Sequence, residues 1–186
     1  MNVMNKSEKF ELLGVELEWR LTDTETGNRY CVLEATVPPG VMVPPHRHPD
    51  QEAFVVLEGA PEFATEGPNG LEWCFAIPGE TVNAAPMSLH GFRNPTTTDV
   101  RIMITCTPNL GRFFEDAGLP CHHESPYRNR VPSFEQVQRV LDIGERYGHV
   151  YSTEEPGECK RTPANFAIKH LLTLPTVSSL NKAYLF

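Results

Sequence analysis

Short hydrophobic runs, separated by turn residues, fill the chain from about residue 13 to residue 107. Val, Ile, Phe, Trp and Thr are common in these runs, and clusters such as Glu66-Gly67-Pro68-Asn69-Gly70 divide them. Short strands at regular spacing are typical of an all-β sandwich or barrel. The pattern predicts strands at residues 13–21, 30–37, 41–46, 52–58, 62–65, 71–76, 80–85, 90–94 and 100–106.

Beyond residue 107 the polarity pattern changes and predicts two helices. Residues 110–117, with the sequence LGRFFEDA, form the first helix, which Gly118 ends. The second helix begins at Ser133, because Ser133 and Gln136 have the spacing of a capping box. In that motif the serine hydroxyl accepts the backbone N–H of Gln136 while the Gln136 side chain accepts the N–H of Ser133. Apolar residues then recur at roughly helical spacing until Gly148, where we expect the helix to end.

The two halves of the chain therefore differ in character, and we predict a β-barrel domain over residues 1–120 and a C-terminal helical extension over residues 121–186. Residues 152–186 show mixed polarity and no clear period. Their apolar pieces, 171–174 and 184–186, could dock on the barrel or on a second subunit.

The charge balance excludes some classes of partner. The chain has 186 residues and a formal net charge of −8, from 16 Lys and Arg against 24 Asp and Glu. An acidic surface opposes nucleic acid or anionic lipid as the main partner. No stretch approaches the roughly 20 apolar residues of a membrane span, and residues 1–11 lack the apolar core of a signal peptide. We therefore expect a cytoplasmic protein that binds neither nucleic acid nor a membrane.

The cysteines favour reduced thiols over a disulfide framework. They lie at positions 31, 74, 106, 121 and 159, an odd number with wide spacing and no CxxC pair. Cys31, Cys74 and Cys106 fall inside predicted strands, where a free cysteine usually acts as a small apolar core residue.

Two histidines and a glutamate form the most informative cluster in the chain. His46 and His48 alternate, so their side chains point to the same face of an extended strand. Glu52 lies at an even offset from both and rejoins that face once the chain turns at Pro49-Asp50. Two imidazoles and a carboxylate that meet inside a pocket are a site for a divalent transition metal.

His90 is the candidate fourth ligand. It follows a turn built around Pro86 and begins a predicted strand that faces inward. Asn94 shares the parity of His90 and could donate a hydrogen bond that orients a ligand or a substrate.

These two segments resemble the two motifs of the cupin superfamily. The first motif, G-x5-H-x-H-x3-E-x6-G, is met at every fixed position, by Gly40, His46, His48, Glu52 and Gly59. The second, G-x5-P-x-G-x2-H-x3-N, is met at Gly79, His90 and Asn94, and departs from the pattern at Ala85 and Met87. Within residues 13–120, the segments LEATVPPG, FVVLEG, HGFRN and TPNLGRFFEDAGLP are similar to single-domain bacterial cupins described as quercetin dioxygenase-like.

The resemblance implies a fold, a cofactor and an activity. The implied fold is an antiparallel double-stranded β-helix, a jelly-roll barrel with C-terminal helices. His46, His48, Glu52 and His90 would bind one divalent ion of Fe, Mn, Co, Ni, Cu or Zn. The implied activity is a metal-dependent dioxygenase that acts on an aromatic or enol-bearing small molecule, with Glu52 as the base, its pKa raised by burial.

Other interpretations of the same residues stay open. The pocket could serve an isomerase, cyclase or lyase that uses no dioxygen, or a binding or sensing module without turnover. The four polar residues could also simply be buried in a metal-free cupin. Candidate pocket residues share the parity of Glu52 or of His90, although packing in the core is the alternative for each; they are Phe54, Val56, Phe92 and Asn94.

The remaining predictions concern histidines outside the cluster and the assembly of the protein. Cys121-His122-His123 is expected in a surface loop, because adjacent side chains on an extended chain point to opposite faces. His149 and His170 are isolated and are expected in solvent or at helix ends. Sheet edges and the apolar C-terminal pieces favour a homodimer.

Overall fold

Two β-sheets and two helices make up the part of the chain that the computed structural model describes, residues 9–67, 70–121 and 132–159. The strands are Lys9–Leu12 (β1), Val15–Leu21 (β2), Cys31–Val37 (β3), Met42–Arg47 (β4), Glu52–Glu58 (β5), Glu62–Gly67 (β6), Gly70–Phe75 (β7), Thr81–Ala84 (β8), His90–Arg93 (β9), Val100–Cys106 (β10), Leu119–Pro120 (β11), Val150–Tyr151 (β12) and Gly157–Glu158 (β13). The helices are Pro108–Ala117 (α1) and Phe134–Arg146 (α2).

The strands form a seven-stranded sheet in the order β11-β1-β2-β3-β10-β5-β8 and a six-stranded sheet in the order β12-β4-β9-β6-β7-β13. Pairing is antiparallel except between β13 and β7. This is the double-stranded β-helix, so the predicted fold class is confirmed. The nine predicted strands correspond to β2–β10, and β5 and β10 have the predicted bounds.

The core lies between the two sheets. Phe54, on the seven-stranded sheet, packs against Phe63 and Phe92 of the six-stranded sheet, with ring centroids 5.2 and 5.8 Å away. Buried side chains alternate along the central strands, as period-two patterning requires. Those with at most 2% exposure in β3, β5 and β10 are Leu33, Ala35, Val37, Phe54, Val56, Ile102 and Ile104, besides Cys31 and Val100.

The sequence pattern missed four short strands. β1 has only four residues, half of them charged, and it forms because Leu13 and Gly14, with φ of +50° and +91°, make a tight hairpin back to β2. β11, β12 and β13 have two residues each, too few for any period to appear. Their assignment depends on strands that are distant in sequence.

The helices pack on each other and on the barrel. The predicted capping box of α2 is present, because the Ser133 hydroxyl accepts the N–H of Gln136 and the Gln136 side chain accepts the N–H of Ser133. Val140 and Ile143 of α2 are buried in the main core, and Tyr147 donates a hydrogen bond to Asp116 at the end of α1. Neither described helix has the length and apolar character needed to cross a membrane. The domain boundary at residue 120 stays a prediction.

The structure corrects the expectation of reduced cysteines throughout. Cys74 and Cys159 form a disulfide bond across 85 residues of sequence, with their Cα atoms 5.1 Å apart. The parallel pairing of β13 with β7 brings them together, and the N–H of Cys159 donates to the carbonyl of Trp73. Cys31, Cys106 and Cys121 are free thiols. Wide spacing in sequence could not reveal a contact that only strand pairing creates.

Candidate metal centre

The two strands that carry the first and last histidines of the cluster are neighbours in the six-stranded sheet. His46 of β4 pairs directly with His90, the first residue of β9. The register shifts between Val43 and His46, and here the backbone passes so close to Gly91 that a Cβ atom there would lie 2.7 Å from the Val43 carbonyl oxygen. Glycine at position 91 therefore permits the bulge that places the two imidazoles side by side.

A buried carboxylate holds the turn that brings Glu52 back to the same face. Asp50 accepts hydrogen bonds from the Thr107 hydroxyl at 2.5 Å and the Asn109 amide at 2.9 Å, which lie at the start of α1. The N–H of Met87 also donates to the His48 carbonyl at 2.8 Å. The loop between His48 and Glu52 is therefore fixed from both sides.

The structure brings the four predicted ligands together. His46, His48 and His90 each offer a nitrogen atom, and these atoms lie within 4.8 Å of one another. Glu52 Oε2 lies 3.3 Å from His48 Nε2 and 3.4 Å from His90 Nε2. Ligand atoms at about 2.0–2.2 Å from one ion are about 3.0–3.6 Å apart. The three imidazoles therefore form a group that could hold one divalent ion, and Glu52 Oε2 lies at ligand spacing from two of them, His48 and His90.

Backbone carbonyls orient two of the imidazoles. His46 Nδ1 lies 2.9 Å from the Pro44 carbonyl oxygen, and His90 Nδ1 lies 2.9 Å from the Ser88 carbonyl oxygen. Because a carbonyl only accepts, each Nδ1 carries a proton, and the neutral form of each ring therefore presents the lone pair of Nε2. Such outer contacts are what a metal-binding histidine needs in order to present one nitrogen in a defined direction.

The protonation states also suit metal binding. Burial and the neighbouring His90 lower the pKa of His46 to about 3. Burial works to raise the pKa of Glu52, but hydrogen bonds from His48 and His90 outweigh it, and the pKa falls to about 2. The prediction that Glu52 has a raised pKa is therefore wrong: the hydrogen bonds have a larger effect than burial. At neutral pH Glu52 is an anion and His46 is neutral, which are the ligating forms.

An apolar cavity of about 100 Å³ opens beside the cluster. His46, His48 and Glu52 form its polar end, and half-exposed Met42 and Tyr151 mark its mouth. The other described lining residues are Leu12, Leu13, Val15, Leu17, Val43, Pro44, Phe54, Phe92, Ile104, Leu110, Phe113, Phe114, Val140 and His149.

Two of the four candidate pocket residues line this cavity and two do not. Phe54 and Phe92 lie in its wall. Val56 packs in the core, where it pairs with Ile102 of β10. The Asn94 side chain is buried elsewhere, since its amide donates to the carbonyls of Val37 and Thr98. Val56 and Asn94 therefore do not line this cavity, and their role in binding a substrate stays a prediction.

His149 lies just beyond the end of α2, one of its two predicted positions, where its N–H donates to the Gly144 carbonyl. It is not in solvent, because it lines the cavity and only 6% of its surface is exposed. Burial, with His48 nearby, lowers its pKa to about 4. No period or motif in the sequence indicates this position, because it follows from the way α2 returns the chain to β4. Of the other predicted surface positions, Cys121 is partly buried, while His122, His123 and His170 lie outside the described residues.

Comparison with known proteins agrees with this architecture. Residues 33–106 match the family model Cupin_2, described as Cupin domain. No curated protein matches the chain. A predicted oxalate decarboxylase from Thermotoga maritima is 20% identical with a TM-score of 0.50, over 57% of this chain and 98% of that one. The polyketide cyclase RemF from Streptomyces resistomycificus is 18% identical with a TM-score of 0.50, over 77% of this chain and 98% of that one.

The described barrel has the cupin fold, and residues 33–106 match the cupin domain model. The group that could hold a metal ion, His46, His48 and His90, lies inside the matched range, as does Glu52. The two structural relatives share the fold, and their named activities differ from each other.

Proposed function

We propose that the protein is a metal-dependent enzyme that adds dioxygen to an aromatic or enol-bearing small molecule. The observation that carries the proposal is the group of three imidazoles, with Glu52 against two of them, beside an otherwise apolar cavity that His46, His48 and Glu52 line. Four protein ligands leave one or two positions free on a five- or six-coordinate ion, which a catalytic site requires. Imidazole and carboxylate ligands bind several first-row metals, so the native ion has to be identified by measurement.

The cavity wall indicates the kind of substrate. Among the described lining residues there is no Lys or Arg, and the single charged group is Glu52. Away from the proposed metal, the described wall offers no cationic side chain for a phosphate or a second carboxylate. A cavity of roughly 150 Å³ holds benzene, so a cavity of about 100 Å³ admits no more than one small ring or an enol of similar size. Larger substrates would extend past Met42 and Tyr151.

The residues of the site would have separate roles. A divalent metal there would lower the pKa of a coordinated substrate hydroxyl. Glu52 lies against His48 and His90 and would take the proton from that hydroxyl, in addition to holding the ion. Phe54 and Phe92 would pack against the apolar body of the substrate and exclude water from the anion that forms.

Oxygen consumption tests this proposal. The protein would be stripped of metal, reloaded separately with Fe(II), Mn(II), Co(II) or Ni(II), and offered one-ring enols, catechols and flavonols. We expect uptake of dioxygen with at least one pair, and both atoms of ¹⁸O₂ in the product. The Glu52→Gln variant at matched metal loading should lose most of the rate. Absence of uptake and of product with every pair would reject the oxygenase.

A second candidate is a cyclase, isomerase or lyase that needs no dioxygen. The apolar wall favours it equally, and RemF, which shares the fold over 77% of this chain, is named as a polyketide cyclase. In this reaction Glu52 would move a proton between two positions of the substrate. Conversion of a polyketide-like substrate under strict anaerobiosis would support this candidate over the oxygenase.

A binding or sensing module without turnover is the third candidate. It predicts a small molecule that co-purifies unchanged and raises the melting temperature of the metal-loaded protein. Mass spectrometry of the extracted ligand before and after incubation with the protein separates it from both enzymes, because either enzyme would change the mass or the connectivity of the ligand.

We further propose that the protein forms a homodimer through the edge of the six-stranded sheet. β12 is the terminal strand of that sheet, and the nearby side chains of Met42 and Val150 are 50% and 56% exposed. An uncovered edge with apolar side chains is suited to pairing with a second copy. Sedimentation velocity of the wild-type protein and of Val150→Lys would test this, with a monomeric variant expected.

A further inference from the structure

His149 is the buried polar residue of the cavity that the proposed metal site does not use. Its ring packs against Phe113 in a tilted arrangement, with the centroids 4.2 Å apart, and its centroid lies 5.7 Å from that of His46 and 5.1 Å from that of His48. It is not one of the imidazoles whose nitrogen atoms converge within 4.8 Å. His149 therefore stands beside the ligands, on the cavity side.

Its Nε2 atom is fully buried and has no hydrogen-bond partner among the described residues. Leaving such a buried atom unpaired is unfavourable, because it loses its hydrogen bonds to water. In folded proteins, groups of this kind are usually satisfied by water, an ion or a bound molecule. The unpaired nitrogen therefore indicates a position where a polar atom of a ligand belongs.

The backbone around His149 is held firmly. The N–H of His149 donates to the Gly144 carbonyl at the end of α2, at 2.9 Å. The next two residues form β12, which pairs with β4, and the N–H of Ser152 donates to the Pro45 carbonyl at 2.9 Å. The imidazole is thus fixed relative to the strand that carries His46, as positioning of a substrate requires.

Few other polar groups remain for a substrate. The cavity wall is apolar apart from His46, His48, Glu52, His149 and Tyr151. The first three would be occupied by the metal, and Tyr151 lies at the mouth. The described lining therefore leaves His149 as the hydrogen-bonding group beside the proposed metal.

We propose that His149 Nε2 hydrogen-bonds a second polar atom of the substrate, next to the oxygen that binds the metal. The inference rests on the proposed function, because it requires the same metal ion and the same apolar cavity. A hydrogen bond to this second atom restricts the proposed substrates to enols and phenols that carry oxygen atoms on two adjacent carbons. His149 is then a specificity residue that the C-terminal segment contributes to the barrel.

Binding of two matched probes tests this inference without turnover. The protein would be loaded with Zn(II) and titrated anaerobically with 4-nitrocatechol and with 4-nitrophenol, followed by their absorbance. The two probes differ by one hydroxyl group. We expect the wild-type protein to bind the catechol more tightly than the phenol. The His149→Phe variant keeps an aromatic ring against Phe113, and its ratio of the two affinities should fall by about 3- to 10-fold. Binding of the phenol should change less than twofold.

Further variants keep the result interpretable. His149→Leu repeats the test if the phenylalanine variant folds poorly, and His149→Gln, which restores a polar atom, should recover part of the preference. Tyr147→Phe removes a contact of the same segment outside the cavity and should bind both probes as the wild type does.

Several results would overturn the inference. An unchanged preference in His149→Phe would mean that the second hydroxyl contacts the metal instead. Loss of zinc from the His149 variants would make the residue a ligand or a structural support. Failure of the wild-type protein to bind the catechol would reject the substrate class. Because no dioxygen is consumed, these outcomes are independent of whether the oxygenase itself fails.

Discussion

The metal site makes the sharpest prediction, because single substitutions should remove a defined share of its affinity. Binding of structural zinc by four ligands is worth about 10–16 kcal/mol at neutral pH. An equal share of about 2.5–4 kcal/mol per ligand corresponds to a loss of about 10²- to 10³-fold in affinity. Glu52 Oε2 lies 3.3 and 3.4 Å from two of the imidazole nitrogens, as expected for ligand atoms of one ion. We therefore assign each ligand the same share of the binding free energy.

The substitutions are His46→Gln, His48→Gln, His90→Gln and Glu52→Gln, each measured by competition with a chromophoric chelator for Zn(II) and Co(II). His149→Gln is the matched control, because it changes an imidazole in the same cavity that lies outside the converging group. It should bind metal within a few-fold of the wild type. Wild-type affinity in all four ligand variants, or a loss in His149→Gln as large as in them, would refute the geometric argument.

Three further predictions concern stability. Because the pKa of Glu52 is held at about 2, below its ordinary 4.5, its anion stabilises the metal-free fold above pH 4.5, and this contribution is lost as the pH falls toward 2. Urea unfolding at pH 5 and pH 3 should therefore show a smaller loss for Glu52→Gln than for the wild type, and an equal loss would contradict the assignment. Ser133→Ala removes the capping-box acceptor of α2 and should lower the free energy of unfolding by about 1 kcal/mol in urea titrations; no change would mean that the box is not formed. Phe54→Ala should cost about 3–5 kcal/mol by the same measurement, because Phe54 is 2% exposed between the sheets; a cost below about 1 kcal/mol would place it outside the core.

Local patterns predicted the strands well where the strand is long and one face is buried. β5 and β10 have seven residues each, mostly apolar, and polar or turn residues follow both, so their bounds could be predicted from the sequence; the burial of their side chains alternates along each strand. The two-residue strands β11, β12 and β13 have no such pattern, because each exists only through its partner strand. The disulfide between Cys74 and Cys159 has the same origin.

The candidate ligands could be named from the sequence because their chemistry is local. The spacing of His46, His48 and Glu52 puts three donors on one face of a short segment. His90 was predicted from the turn around Pro86 and the strand after it, and the β4–β9 pairing places it opposite His46. Parity alone misled at Asn94, whose amide is taken up by two backbone carbonyls.

What the sequence by itself determined was the type of fold and the four donors of the candidate metal site, since alternation and spacing act over a few residues. Only the tertiary structure decided the environment of those donors: the apolar cavity wall, the hydrogen bonds that lower the pKa of Glu52, and the position of His149. Each of these depends on burial between elements far apart in the chain, and α2 and β12 bring His149 about 100 residues back to the strand of His46. Burial and charge coupling are properties of the packed molecule, and no local pattern encodes them.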